Sequence, residues 1–208
     1  MSATKLFLRG NEQSLNLYAD YKPFNMVDGE GVRCSLYLSG CLFNCKGCYN
    51  KSIQNFANGE LFTDELLQKI LTDLEKPYCA GISLLGGDPM FNINSTARIV
   101  KAIREKFGDE KTIWMWTGFT YEEIVNELLL LKSESVYNNL FMVISNIDVL
   151  IDGRFKLDQF KLNLTHRGSY NQKIIDMKSS LEKSELVLWN DGQYLEYDNK
   201  ILQKNHDN

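Results

Sequence analysis

The chain has 208 residues, of which 44% are hydrophobic and 12% aromatic, and its formal net charge is -4 at pH 7. The acidic balance argues against a basic nucleic-acid surface, and no apolar run approaches the about 20 residues that a membrane helix requires. The first residues lack the apolar stretch and cleavage site of a secretory signal, so a cytoplasmic location is expected.

Four short apolar runs are each followed closely by glycine, which is the pattern of buried strands. In chain order they cover residues 33–39, 81–85, 112–116 and 147–151. Three segments with apolar residues at helical spacing lie between them. Thr63 caps the first, Ser95 opens the second, and Thr120 with Glu123 forms a capping box at the start of the third.

The alternation of strands and helices predicts βαβ units and an α/β fold with a mostly parallel sheet. The regularity weakens after Asp152, where Asp191-Gly192 lies between apolar residues and predicts a C-terminal hairpin over residues 189–195. The polar tail from about residue 200 is expected to fray. The length suits one domain, so we expect residues 1–208 to form a single domain with a core over about residues 18–175.

Three of the five cysteines form a C-x3-C-x2-C motif at Cys41, Cys45 and Cys48, in a loop directly after the first predicted strand. In a reducing compartment such a cluster indicates metal ligation rather than disulfides. Three thiolates can each hold one iron of a 4Fe-4S cubane and leave the fourth iron open to a substrate, unlike the four-cysteine sets of ferredoxins. The sequence therefore predicts a catalytic iron-sulfur site at these three cysteines.

The residues alone are also compatible with two other kinds of metal site. One is a structural zinc site in which His166 is the fourth ligand, although such sites usually use paired C-x2-C units. The other is an electron-transfer cluster completed by Cys34 or Cys79, whose apolar surroundings instead favour buried, inert thiols.

The glycine-rich turn 86–89 follows the second predicted strand, so it lies with the cysteine loop at the carboxyl ends of the strands, where sites of such sheets gather. The loop and the Gly-Gly-Asp-Pro turn together resemble the radical S-adenosylmethionine superfamily. Further blocks, colinear from about residue 18 to residue 173, narrow the resemblance to the activating proteins of anaerobic (class III) ribonucleotide reductase. They are 28–33 (DGEGVR), 40–51 (GCLFNCKGCYNK), 113–119 (IWMWTGF), 148–155 (DVLIDGRF) and 167–172 (RGSYNQ).

The resemblance implies a truncated partial (β/α) barrel that binds one 4Fe-4S cluster through the three motif cysteines and cleaves S-adenosylmethionine reductively. In that family, residues at the positions of Gly47, Tyr49 and Gly87 contact S-adenosylmethionine. The 5'-deoxyadenosyl radical then removes a hydrogen atom from a glycine of the large reductase subunit, the implied partner. A low-potential donor such as flavodoxin or ferredoxin would supply the electron.

The glycine turn agrees with this role. Gly86 and Gly87 let the backbone approach a ligand closely, so that strand-end carbonyls can accept from the ammonium group of S-adenosylmethionine. We expect a side chain at Gly87 to obstruct the ligand rather than the fold. Asp88 either orients the ammonium group or caps the helix that follows.

Two aromatic residues on the third predicted strand, Trp114 and Trp116, are expected to be core residues. Thr117 and Gly118, at the end of that strand, are better placed to meet the nucleoside. Contact with the partner protein is expected near them and near residues 167–172. Arg33 is interpreted either as the partner of a carboxylate or as a solvated side chain.

Two other functions remain open. One is a different small radical enzyme, such as an activase of another glycyl-radical enzyme or a modifier of a purine-like molecule. The other is a non-enzymatic iron-sulfur electron carrier. The sequence also departs from the family pattern, since residues 130–145 are longer than usual and Glu30 stands where many relatives carry proline.

Overall fold

A computed structural model describes residues 1–131 and 135–192, and within these residues the chain forms a seven-stranded sheet with six α-helices. The helices are α1 Ala3–Gln13, α2 Asp64–Leu74, α3 Ile93–Phe107, α4 Tyr121–Asn126, α5 Ser135–Asn146 and α6 Met177–Lys183. The strands are β1 Leu17–Asn25, β2 Val32–Leu38, β3 Glu60–Leu61, β4 Cys79–Gly86, β5 Thr112–Trp116, β6 Val149–Ile151 and β7 Ile174–Asp176.

The sheet is mixed and mostly parallel at its centre. Its strand order is β3-β1-β2-β4-β5-β6-β7, and the neighbours β2, β4, β5 and β6 are parallel. These are the four strands that the sequence predicts, so the α/β class and the parallel sheet are confirmed. The antiparallel strands β1, β3 and β7 at the two edges were not predicted.

Two of the three predicted helix starts are confirmed. The Thr63 side chain accepts from the Leu66 amide at the start of α2, and Thr120 forms the predicted capping box with Glu123 at the start of α4. The prediction that Ser95 opens a helix is wrong. A 3-10 turn over Pro89–Asn92 runs directly into α3, so Ser95 lies inside the helix and is buried.

The two faces of the sheet differ in character because side chains alternate along each strand. The paired row Leu36, Leu84, Met115 and Leu150 packs in one core with buried residues of the helices. The neighbouring row Ser35, Ser83, Trp114 and Val149 lies on the other face. There Trp114, Val149, Ile151 and Ile174 form a smaller apolar cluster. The helices therefore cover one face and leave the carboxyl ends of the strands accessible.

Arg33 braces this second face. Its side chain is buried and donates to the Ser83 hydroxyl at 2.9 Å, the Ile82 carbonyl at 2.7 Å and the Thr112 carbonyl at 2.8 Å. Burial lowers the pKa of Arg33 to about 10, which leaves the guanidinium charged at neutral pH. Arg33 therefore links β2, β4 and β5, and the interpretation of it as a solvated residue is wrong. Its hydrogen bonds go to hydroxyl and carbonyl groups, while the nearby Asp148 and Glu30 charges favour the charged form of the guanidinium.

The prediction of a C-terminal hairpin over residues 189–195 is wrong for residues 189–192. Residues 193–195 lie outside the described part of the chain. Residues Trp189–Gly192 form a 3-10 turn instead of a strand and hairpin turn. The indole of Trp189 packs edge-on against Trp114 and donates to the Glu30 carboxylate at 3.1 Å, so side-chain packing fixes this segment. The Glu30 carboxylate thus holds the last described residues against the sheet.

The described residues include no helix that is both long and apolar enough to span a bilayer.

Candidate active site

Loops at the carboxyl ends of the four parallel strands enclose one cavity of about 520 Å³. The cysteine loop comes from β2, the turn 86–88 from β4, Thr117-Gly118 from β5, and the segment that starts at Gly153 from β6. The volume falls within the about 300–1,000 Å³ that is typical of small-molecule sites. The topology thus brings together loops that are far apart in sequence.

The cysteine loop is fixed at both ends by main-chain hydrogen bonds. The Gly40 amide donates to the Ile53 carbonyl at 2.8 Å, and the Cys41 amide donates to the Gln54 carbonyl at 3.0 Å. Gly40 has φ +94°, a conformation that suits glycine at the point where the chain leaves the strand. These contacts hold residues 41–54 as a closed loop against the end of β2.

The three motif cysteines are partly buried, and all of them line the cavity. Burial raises the pKa of the Cys41 thiol, and the nearby Asp88 charge raises it further. Burial and the neighbouring Cys48 also raise the pKa of Cys45. Since iron binds the thiolate, loading of a metal must release protons from these thiols.

The donor set of the loop fits a 4Fe-4S cluster, because three thiolates can each bind a different iron atom. In the described ranges no three ligating side chains converge on one ion position. A structural zinc ion takes four protein ligands, whereas the loop supplies three thiolates, the number that leaves one iron of a cluster without a protein ligand.

The alternative fourth ligands lie elsewhere. The His166 ring packs edge-on against Trp114, with the ring centroids 5.2 Å apart, and His166 is not among the residues that line the cavity. Cys34 and Cys79 are buried near the amino ends of β2 and β4, with their sulfurs 3.9 Å apart. The structure therefore contradicts a site completed by any of these three residues and agrees with the interpretation of Cys34 and Cys79 as buried thiols.

The glycine turn after β4 is bonded directly to the cysteine loop. The Gly87 amide donates to the Leu38 carbonyl at 2.7 Å, and the Asp88 amide donates to the Gly40 carbonyl at 3.0 Å. The Gly86 carbonyl accepts from the Asn50 side chain at 3.1 Å. The sequence did not identify Asn50. Its side chain already donates a hydrogen bond to one of the strand-end carbonyls that we expected to accept from a ligand.

The surrounding backbone leaves no room for a side chain at position 87. A Cβ at Gly87 would lie 2.7 Å from the carbonyl carbon of Gly40 and closer still to its oxygen. Real Cβ atoms do not approach backbone atoms so closely, so the turn or the cysteine loop would have to move. The expectation that a side chain at Gly87 would leave the fold intact is therefore wrong, and a role of Gly87 in ligand binding stays a proposal.

Asp88 connects the ends of β4 and β5. Its buried carboxylate accepts from the Met90 amide at 2.9 Å, the Gly118 amide at 2.7 Å and the Thr117 hydroxyl at 2.9 and 3.0 Å. Burial raises the pKa of Asp88 to about 6, so the group remains mostly ionised at neutral pH. It caps the 3-10 turn before α3 and also fixes the Thr117-Gly118 turn, so both carboxylate oxygens are engaged within the protein.

Replacement of Asp88 by asparagine should lower the free energy of unfolding by about 1–3 kcal/mol, because an amide NH2 would face a backbone donor that then lacks an acceptor. Urea denaturation at pH 7 measures the change. Asp20→Asn, at an exposed position on β1, is the matched control and should be nearly neutral. If the Asp88→Asn protein has the same free energy of unfolding as the wild type, these hydrogen bonds do not stabilise the two turns.

The other predicted contact residues lie around the mouth of the cavity. Gly47 has φ +76° and packs beneath Leu157, and Tyr49 is fully exposed at the rim. Trp114 is buried, as predicted, whereas Trp116 is only partly buried and lines the cavity. Thr117 and Gly118 line it as well, so the expectation that this strand end faces the site agrees with the structure.

Arg154 was not predicted from the sequence and brings a positive charge to the cavity wall. Its guanidinium lies 4.6 Å from the ring centroid of Phe43 in the cysteine loop and pairs with Glu123 at 3.0 Å. Its charge opposes the rise in the pKa of both Cys45 and Asp88. Its position just after β6, at the carboxyl end of a parallel strand, is the signal that could have identified it.

The block 167–172 supports this wall rather than presenting a free surface. Arg167, Ser169 and Gln172 are buried, and the Gln172 amide group donates to the Gly153 carbonyl and accepts from the Gly168 and Ser169 amides. Asn171 donates to the Arg154 carbonyl at 2.9 Å. Most of this block is therefore committed to internal contacts, which leaves little of it for the partner contact expected there.

Comparison with family models matches residues 27–175 to the 4Fe-4S single cluster domain. The matched segment contains the three motif cysteines and all the loops that enclose the cavity.

Comparison with curated proteins finds relatives named anaerobic ribonucleoside-triphosphate reductase-activating protein. The one from Vibrio cholerae is 38% identical over 161 residues, which cover 76% of this chain and 96% of the relative. The one from Enterobacteria phage T4 is 36% identical over 154 residues, covering 73% and 88% respectively. The one from Escherichia coli K12 is 36% identical over 161 residues, covering 76% and 96%.

Proposed function

Because the chain belongs to the family of anaerobic ribonucleoside-triphosphate reductase-activating proteins, we propose that it generates the glycyl radical on the large subunit of an anaerobic ribonucleotide reductase. The observation that carries the proposal is the placement of Cys41, Cys45 and Cys48 in the wall of one cavity together with the glycine turn after β4. A cluster and a small molecule bound there would be in contact with each other.

The cofactors of the proposed reaction are one 4Fe-4S cluster, held by the three cysteines, and S-adenosylmethionine. When bound, the cluster would supply one electron, so that S-adenosylmethionine splits into methionine and a 5'-deoxyadenosyl radical. That radical would take a hydrogen atom from the partner's glycine and would leave as 5'-deoxyadenosine. A truncated partial (β/α) barrel, which the family resemblance implies, belongs to this proposal, and the mostly parallel sheet with its cavity at the carboxyl ends of the strands supports it.

The residues of the chain bind and orient the ligand in this proposal. Gly47, Tyr49 and Gly87 would contact S-adenosylmethionine, as the family resemblance implies, and Gly86 and Gly87 both line the cavity. Asp88 acts as a positioning residue, since it fixes the Thr117-Gly118 turn through its hydrogen bonds. The Arg154 guanidinium would offset the negative charge that the three cysteines contribute once they bind the cluster as thiolates.

The apolar wall excludes water, which a radical of this reactivity requires. Phe43, Trp116, Phe155 and Phe160 supply much of that wall. Because the cavity opens beside exposed Tyr49, the large reductase subunit would have to close it. A low-potential carrier such as flavodoxin or ferredoxin would provide the electron, and the reaction would take place in the cytoplasm.

The test is anaerobic reconstitution of the cluster, followed by chemical reduction and incubation with S-adenosylmethionine and the large reductase subunit. We expect a glycyl radical signal in electron paramagnetic resonance and an equivalent amount of 5'-deoxyadenosine. Formation of 5'-deoxyadenosine without a protein radical would indicate a different radical enzyme. Failure to form either product, with a reducible cluster present, would instead support a non-enzymatic electron carrier.

A further inference from the structure

The outer face of the cysteine loop is positively charged, although the whole chain has a net charge of -4. Between residues 39 and 58 the sequence contains Lys46 and Lys51 and no aspartate or glutamate. Both lysines are exposed, as is Lys156 on the neighbouring segment after β6. The Lys51 ammonium donates to the Asn44 side chain, which keeps its charge on the surface of the loop.

This outer face also contains a depression that is separate from the main cavity. Its volume is about 450 Å³, and its lining consists of Asn44, Cys45, Lys46, Gly47, Cys48 and Lys51. A second depression of about 420 Å³ adjoins it at Lys46 and extends to Lys156 and Leu157. We call the surface formed by Lys46, Lys51 and Lys156 the lysine face.

Cys45, Gly47 and Cys48 border both the main cavity and the outer depression. A cluster held by the loop would therefore be reached from the lysine face across the loop alone. S-adenosylmethionine and the partner's glycine must occupy the main cavity, because the radical forms there. The lysine face remains available to a second protein while the main cavity is filled.

We propose that the lysine face docks an acidic one-electron carrier protein and that the electron enters the cluster there. This inference rests on the proposed function, since only a cluster that must be reduced needs a donor. In the step, the reduced flavin or iron-sulfur centre of the carrier loses one electron and the oxidised cluster gains it, with no bond made or broken. Opposite charges accelerate such encounters, and salt screens them over about 8–10 Å.

The depressions have the composition of a transient docking site. Leu157 is 47% exposed between the lysines and provides an apolar contact at the centre. Charged rims around a small apolar centre are suited to brief complexes, because long-range attraction sets the association rate while the small apolar area permits release. A single acid, Asp158, lies in the lining of the adjoining depression.

The test uses the reconstituted, full-length protein with both Lys46→Glu and Lys51→Glu, and reduced flavodoxin as the probe. We expect the second-order rate of cluster reduction to fall about tenfold or more at low ionic strength, and to approach the wild-type rate at high salt. The equilibrium affinity for flavodoxin should fall in parallel. Lys101→Glu, at an exposed position of α3, makes the same kind of charge change and should leave the rate nearly unchanged.

Photoreduced deazaflavin separates this inference from the proposed function, because it is small and does not need a docking site. With it, the double variant should form 5'-deoxyadenosine and glycyl radical as the wild type does. An unchanged rate with flavodoxin would overturn the inference. So would a loss of glycyl radical under deazaflavin, since the lysine face would then bind the reductase. If the wild type forms no 5'-deoxyadenosine with either reductant, the proposed function fails and this inference fails with it.

Discussion

Cys45→Ala is expected to abolish both the visible absorption of the reconstituted cluster and the cleavage of S-adenosylmethionine. The three loop cysteines are the only cysteines that line the cavity among the residues described, so no remaining thiol can replace the lost ligand. The loss should exceed the about 10–100-fold effect that is typical of residues behind the metal ligands. Iron and sulfide analysis together with a 5'-deoxyadenosine assay measures it.

Cys79→Ala is the matched control for this prediction. It removes a thiol that is buried near the amino end of β4, far along the strand from the cavity. The variant should keep its cluster and its cleavage activity, with only a modest loss of stability from the small void. A Cys45→Ala protein that retains a full 4Fe-4S signal would contradict the assignment of the ligands.

Gly87→Ala is expected to lower the free energy of unfolding by about 1–3 kcal/mol or more and to impair cluster loading as well. The new Cβ would collide with the backbone of Gly40, which directly precedes Cys41. Relief of that collision must move either the turn after β4 or the cysteine loop. Urea denaturation of the apoprotein and iron content after reconstitution measure the two effects separately.

Gly108→Ala is the control, because it isolates backbone strain from steric collision. Gly108 has φ +54° at the end of α3, and no atom lies within 4 Å of the position that its Cβ would occupy. It should cost about 1–3 kcal/mol in stability from backbone strain alone and leave cluster loading unchanged. If Gly87→Ala instead keeps both stability and iron while its affinity for S-adenosylmethionine falls, the ligand, not the fold, excludes the side chain.

The central strands and the cysteine loop could be predicted because their signals are local. Each parallel strand is a continuous apolar run that ends near a glycine, as buried strands are. The caps at Thr63 and Thr120 are likewise set by residues three positions apart. The antiparallel strand β1 gave no such signal, because none of its residues is fully buried, it contains Pro23 and it carries several polar residues.

The contacts that complete the site depend on residues distant in sequence and could not be read from spacing. The sequence indicates that Asp88 is either a cap or a ligand contact. Its hydrogen bonds to Thr117 and Gly118 depend on the pairing of β4 with β5, which local spacing does not reveal. The burial of Arg33 depends on acceptors from two other strands. Ser95 misled because Ser is a good cap residue, whereas the preceding 3-10 turn had already started the helical geometry.

The closed cysteine loop has a consequence for assembly. Hydrogen bonds from the Gly40 and Cys41 amides to the Ile53 and Gln54 carbonyls join its two ends, and none of the three motif cysteines is among the fully buried residues of the apolar core. Once one thiolate has bound iron, the other two are therefore held at a high effective concentration. The apoprotein should accordingly be folded before it binds iron and sulfide, unlike small zinc domains that unfold when the metal is removed. Loss of the cluster, for example to oxygen, would then be a reversible local event that rebuilding of the cluster repairs without refolding the chain.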